Sequence, residues 1–229
     1  MKELITKHYI INYEPELQNF IEKTVSHAEN KRLEFNKLFK CDEEDIGSIK
    51  ASFFINRDKF VEYIESVSGG MRPPAWATGC FYNGEIQVMV DLNNPEVKMN
   101  TLAHETLHLY FDKKIYEKYN IDRVNWLDES FAVYLDGNPD ELSKEELIKM
   151  VDYISRISEG FDMAILADYN KVKTKEYNGY DMFNLIGKYI FDNNLEQEYL
   201  ELLKTDRNKI VEIGKTILQV VIDYFKEIF

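Results

Sequence analysis

Cysteine is scarce in this chain: Cys41 and Cys80 are the two among 229 residues. Neither has a C-x-x-C partner, and two thiols cannot make a disulfide framework, so both read as small buried or half-buried residues. Positive charge is also short, 28 Lys and Arg against 41 Asp and Glu, for a formal net charge of -13. That balance argues against a nucleic-acid or anionic-membrane partner, each of which needs a basic footprint. It biases any substrate toward neutral or basic segments, or simply describes a solvated acidic surface. Long apolar runs are missing: no stretch approaches the roughly 18 residues of a membrane span. The first residues, Met1-Lys2-Glu3-Leu4-Ile5, carry no apolar signal region. A cytoplasmic protein is the resulting expectation. Linkers rich in Pro, Gly or Ser, internal repeats and low-complexity tracts are absent too, so no sharp domain boundary can be drawn.

What is present suits a packed core: 45% hydrophobic and 30% charged residues is globular rather than disordered composition. Glu14 to Phe39 reads as a charged amphipathic helix behind the apolar Tyr9-Ile10-Ile11. Lys50 to Ile55 reads as a strand, and Lys59 to Val67 as a helix with Phe60, Val61 and Ile64 on one face. After a loop marked by Ser68-Gly69-Gly70 and Pro73-Pro74, Ala75 to Tyr82 and Glu85 to Asp91 flank Asn83-Gly84. Asn-Gly between strand-like runs is a strong hairpin signal, because both turn positions need positive φ. Everything after Asp91 reads as helical. Asn125 is a candidate cap for Trp126 to Leu135, which Gly137 and Pro139 end. Ser143-Lys144-Glu145-Glu146 opens the next helix as a capping box, and further helices follow around Tyr180–Asn193 and Ile210–Ile228. The apolar stripe Ile210, Ile213, Ile217, Val220, Val221, Tyr224 and Phe225 could be a dimer face, though such stripes more often pack on their own domain. The reading is α+β: a small mixed or antiparallel sheet with helices, then a helical half. A single unit spanning 1–229 is expected, with an α/β part over about 1–94 and a helical part over 95–229.

The chain's most informative feature is His104-Glu105-Thr106-Leu107-His108, which spells H-E-x-x-H. On a helix, residues four apart share a face, so both imidazoles can aim at one point. Two neutral nitrogens at about 2.0–2.1 Å make half of a tetrahedral zinc site. The glutamate between them is placed to take a proton from a water that the metal activates. Asn94-Pro95-Glu96 reads as the helix start, with Asn as cap and Pro at the first position. Met99, Leu102, Ala103, Leu107, Tyr110 and Phe111 recur at helical spacing, and neither Gly nor Pro interrupts before Tyr119.

Two histidines do not complete a catalytic zinc site. His8 and His27 lie far upstream and read as surface or packing residues. A carboxylate is the alternative, and Glu129, in Trp126-Leu127-Asp128-Glu129-Ser130-Phe131-Ala132, is the best placed. It follows His108 by the length of a helix, a loop and a returning helix. Asp122 and Asp128 compete with it, and all three can equally be solvated acids.

H-E-x-x-H followed by W-L-D-E-S-F-A resembles the gluzincins, the zinc peptidases that include thermolysin and the W-L-x-E-G-F-A aminopeptidases. More closely, the segment from about Ile49 to Asn194 is similar to the bacterial peptidase MA-like domains. The resemblance implies a thermolysin-like arrangement with the metal at the junction of sheet part and helical part. It makes His104, His108 and Glu129 the ligands of Zn2+ and Glu105 the base. Pro74-Ala75-Trp76-Ala77-Thr78-Gly79 matches a family segment that forms an edge strand, along which an extended substrate can lie, so Trp76, Ala77, Thr78 and Gly79 become candidate substrate contacts. Tyr180-Asp181-Met182, followed by Tyr189-Ile190, resembles the family's downstream helix, whose first tyrosine donates its hydroxyl to the oxyanion. Tyr180 fits that spacing better than Tyr177. Asp128 is a candidate to orient a ligand histidine, or else an acid answering its helix dipole.

Departures limit what the resemblance says of specificity. Ser130 stands where the aminopeptidases have Gly, their G-x-M-E-N signature is absent upstream, and the chain is much shorter. The expected function is a zinc metallopeptidase acting on peptides or proteins, an endopeptidase or a processing enzyme. Two rivals stand beside it: a zinc hydrolase of a non-peptide substrate, and a catalytically silent gluzincin-fold module that binds peptides. The same ligands would also accept another divalent ion.

Overall fold

The computed structural model of the chain describes residues 1–75, 77–82, 84–137, 143–157 and 179–229. They form two compact units, Met1–Lys114 and Ile115–Phe229. The class is α+β, and the first unit carries a five-stranded mixed sheet in the order β1-β2-β3-β5-β4.

In that unit β1 (Lys2–Ile5) runs antiparallel to β2 (Tyr9–Tyr13), and β2 pairs in parallel with β3 (Ile49–Phe54). The crossover is α1, Gln18–Phe39. β3 pairs in parallel with β5 (Glu85–Met89), and β4 (Gly79–Tyr82) closes the order as an antiparallel edge. Tyr9, Ile11 and Tyr13 are buried and alternate with half-buried Ile10 and Asn12, the two-residue period of a strand with one face on a core. β3 is instead buried almost throughout, because helices cover both faces of the sheet there. One face packs on α1 and on α3 (Thr101–Phe111), through Phe20, Ile21, Val25, Leu102, Ala103 and Leu109. The other packs Phe54 under Phe60, Val61 and Ile64 of α2, Arg57–Ser68. Asn56 caps α2 by accepting from the backbone N–H of Asp58 and Lys59.

Several expected boundaries move. The N-terminal helix begins at Gln18 behind a 3-10 turn over Pro15–Leu17, and strand β1 has no counterpart in the sequence reading. The hairpin's first strand starts at Gly79 rather than Ala75. Gly84 has the positive φ its turn demands, 80°, while Asn83 lies outside the described residues. Asn94 does not cap the motif helix. Pro95–Lys98 is a separate 3-10 turn, the Asn94 side chain makes no cap bond, and α3 begins only at Thr101. A proline that fixes φ suits either kind of turn, so its position alone could not separate them.

Among its described residues the second unit has helices and no strand. It contains α4 (Glu117–Tyr119), α5 (Asn125–Asp136), α6 (Lys144–Ile157), α7 (Gly179–Asp192), α8 (Glu196–Thr205), α9 (Arg207–Gly214) and α10 (Ile217–Ile228). Its heart is the α5–α7 pair. A Cβ on Gly187 would come within 2.4 Å of the Ser130 carbonyl oxygen and 2.6 Å of Tyr134 Cβ, so only glycine allows this approach. Around it Phe191 stacks on Tyr134 and meets Phe131 edge-on. The Ser143 box forms as expected: Ser143 N–H and Oγ donate to Glu146, and Glu146 N–H returns to Ser143 Oγ. These bonds hold the Glu146 carboxyl below its ordinary pKa.

Asn125 is not a cap but the first residue of α5, with Val124 before it. Pro139, expected beyond the end of that helix, lies outside the described residues. The single helix expected over Ile210–Ile228 is two, because α9 stops at Gly214, where a Cβ would come within 2.4 Å of Trp126 Nε1. The apolar stripe of α10 packs inside its own unit, with Ile217, Val221 and Phe225 buried. Among the described residues no helix is long and apolar enough to cross a membrane.

Candidate metal centre

Helix α3 is held from behind before it can present anything. Thr24 of α1 donates to the Met99 carbonyl, Tyr110 OH donates to Asn36 Oδ1, and Arg32 lies between the rings of Tyr9 and Tyr110. Thr106 bonds back to the Leu102 carbonyl and meets Tyr9 OH at 3.1 Å. Burial pushes the Tyr9 phenol well above its ordinary pKa, so it stays a neutral hydrogen-bonding anchor. The x-x of H-E-x-x-H is therefore structural: Thr106 is bonded to the sheet through Tyr9, and Leu107 is fully buried.

Another side of α3 carries the polar residues of the motif. His104 and His108 lie one turn apart with ring planes 80° to each other, and their Nε2 atoms are 3.1 Å from one another. His108 is 4% exposed and Glu105 8%, while His104 is half-buried. Directly after α3 the backbone winds wider, into a π-type turn over Asp112–Tyr116, a distortion found frequently at functional sites.

Glu105 is crowded by β4. A Cβ on Gly79 would lie 2.9 Å from Glu105 Oε1 and 2.8 Å from Thr101 Cγ2. A glycine inside a strand loosens it, and here the missing side chain is what lets the edge strand lie against the helix. The next residue senses the same carboxylate. Burial, and then the charge of Glu105, push the Cys80 thiol up to about 12, and that thiol donates to Gln87 Oε1. Of the candidate substrate contacts, Ala77 is buried, Thr78 and Gly79 are half-buried, and Trp76 lies outside the described residues.

In the second unit the three competing acids separate. Asp122 is exposed, and its carbonyl accepts from Arg207 Nε. Asp128 is fully buried and paired with Arg123 at 3.2 Å, whose guanidinium also lies over the Tyr116 ring. Tyr116 OH accepts from Val124 N–H, which pins the start of α5. Glu129 is 3% exposed on the same helix. Ser130 donates to the Trp126 carbonyl one turn back, so its hydroxyl is satisfied inside the helix. Tyr180 is half-buried in the first turn of α7 and meets Phe183 edge-on. Tyr177 lies outside the described residues.

Sequence reasoning missed the anchors Tyr9 and Thr106 and the grip of Arg57 on the loop before β4. Arg57 donates to the carbonyls of Pro74 and Ala77. A signal for it existed: a cation in a helix's first turn opposes the dipole and needs another reason. No protein-family model and no curated protein matches the chain.

Proposed function

We propose that the chain is a zinc-dependent metallopeptidase in which His104, His108 and Glu129 hold the metal. One observation carries the reading: two Nε2 atoms converge to 3.1 Å across one turn of α3. Two nitrogens on a tetrahedral zinc with 2.0–2.1 Å bonds lie about 3.3 Å apart. The pair needs little adjustment to accept the ion. The donor set fits as well, since two imidazoles and a carboxylate with one open position are the ligands of a hydrolytic rather than a structural zinc. Glu129 is 3% exposed, and a bound cation would offset the cost of burying its charge.

When bound, zinc supplies Lewis acidity, polarising a carbonyl and making water acidic enough to attack near neutral pH. The chain's own residues do the rest. Glu105 takes the proton of the attacking water and passes it to the leaving amine as the peptide C–N bond breaks. Tyr180 donates its hydroxyl to the oxyanion that forms on the attacked carbonyl. β4, the edge of the sheet beside Glu105, offers backbone groups to an extended peptide from Gly79 onward, with Ala77 and Thr78 leading into it. Both ligand histidines, Glu105 and Glu129 are all present, which favours chemistry over a silent peptide-binding module.

Digestion of a broad peptide library by zinc-loaded protein, read by mass spectrometry, tests this directly. Wild type should cleave, and Glu105→Gln should keep its zinc while losing about 10²–10⁴-fold in rate. A protein that demonstrably holds one zinc and cleaves nothing in the library would sink the general-peptidase reading.

A further inference from the structure

Arg57 is the first residue of α2, directly after the Asn56 cap. A positive charge there is opposed by the helix dipole, so the helix itself gives no reason for it. Its guanidinium leaves the helix, crosses the Phe60 ring at 5.0 Å, and donates Nη2 to the Pro74 carbonyl at 2.7 Å and Nη1 to the Ala77 carbonyl. Pro74 O also accepts the Ala77 N–H at 3.0 Å, so both ends of this tight turn are tied to one side chain. The next residue, Thr78, accepts the Met89 N–H at 2.7 Å and begins the β4–β5 ladder, and Gly79 follows against Glu105.

We propose that Arg57 is a positioning residue for the peptide-binding edge: its two-pronged grip on Pro74 and Ala77 fixes where β4 begins and preorders that edge. This rests on the metallopeptidase reading for its substrate but not for its geometry. The site otherwise has a long, two-proline loop leading into a half-buried edge strand, which would have to be ordered each time a peptide bound. Preordering removes that cost from binding and leaves the chemical step untouched. Lysine cannot reproduce the grip, because a single ammonium does not span two carbonyls in a fixed fork.

The test uses the full zinc-loaded chain as wild type, Arg57→Ala and Arg57→Lys, with hydrogen exchange of residues 77–82 and peptide kinetics side by side. Both variants should exchange those amides at least about tenfold faster, the worth of one lost charge-assisted hydrogen bond. KM should rise by a similar factor with kcat and zinc content nearly unchanged, and lysine should not rescue. Unchanged exchange in Arg57→Ala, or rescue of KM by Arg57→Lys, would overturn the proposal. So would a fall in kcat with KM unmoved, which marks a merely structural role. If even wild type cleaves no peptide, the metallopeptidase reading fails by itself, and exchange alone still decides whether Arg57 fixes the strand.

Discussion

Helices α3 and α5 are both buried on nearly every side, and both carry polar residues where a core helix should have none. In α5 Asp128 meets Arg123, and Ser130 bonds back to Trp126. In α3 Thr106 is met in the same way, through Leu102 and Tyr9. The two histidines of α3 instead turn toward each other, and β4 gives up a side chain to make room for Glu105. The buried helix of the first unit thus carries a converged imidazole pair and a carboxylate, whereas that of the second carries an ion pair. The proposed role of Glu129 as a ligand beside His104 and His108 is where the reading is most exposed to experiment.

The largest expected effect follows from that contrast. Glu129→Gln should weaken zinc affinity by more than the 10–100-fold typical of a residue behind a ligand, and His108→Ala should do at least as much. Competition with a chelating dye, at matched folding by circular dichroism, reads both. Were Glu129→Gln to bind zinc like wild type, the second unit would supply no ligand through this residue. Next comes Tyr180→Phe, a change that deletes one hydroxyl. Loss of an oxyanion donor should lower kcat by about 10²–10³ with zinc content and KM nearly preserved. An unaltered kcat would return Tyr180 to the α7 core, beside Phe183.

Smaller again is Gly79→Ala. The new methyl would press on Thr101 Cγ2 and Glu105 Oε1 at 2.8 and 2.9 Å, costing about 1–3 kcal/mol as overpacking does. Because the flexible carboxylate yields first, hydrolysis should fall further than the urea midpoint shows. Gly187→Ala makes the matching control in the second unit. Its methyl would meet a carbonyl oxygen at 2.4 Å, so stability should suffer at least as much. A Gly79→Ala variant with full activity would show that β4 does not constrain Glu105.

How much was legible in advance divides along the same line. H-E-x-x-H was readable because it depends only on helical spacing, and α3 does carry both histidines on one turn. The Ser143 box and the β4–β5 hairpin were readable for the same reason, being local. Parallel pairing of β2, β3 and β5 was not, since partners far apart in sequence leave no trace in either strand. Gly214, where α9 stops, lies against a tryptophan some 90 residues away in the sequence, a proximity no local pattern records. Gly79 was marked as a substrate contact on resemblance alone, and its packing against Glu105 becomes visible only once β4 meets α3. Asp128 could not be told from Glu129 by pattern, because the discriminating partner is an arginine in a loop.

The smallest effect is a titration confined to the first unit. Burial first, then the Glu105 charge, raise the Cys80 thiol from its ordinary 9.0 to about 12, with Arg57 pulling the other way. Between those values the unfolded chain releases a proton that the folded chain keeps, so folding loses stability as pH climbs. The contribution is complete below pH about 9 and declines as the pH rises toward about 12. Lysines and tyrosines titrate in the same range, so the observable is a difference: urea midpoints of metal-free wild type and Cys80→Ala between pH 8 and 10.5. The wild-type midpoint should fall more steeply, and parallel curves would contradict the shift. Adding Glu105→Gln should flatten the wild-type slope in part, because it removes the second cause and leaves the first. The part that Glu105→Gln removes is what sets the two units apart at this scale: in the first, a buried carboxylate perturbs the thiol beside it, while in the second an arginine pairs with Asp128.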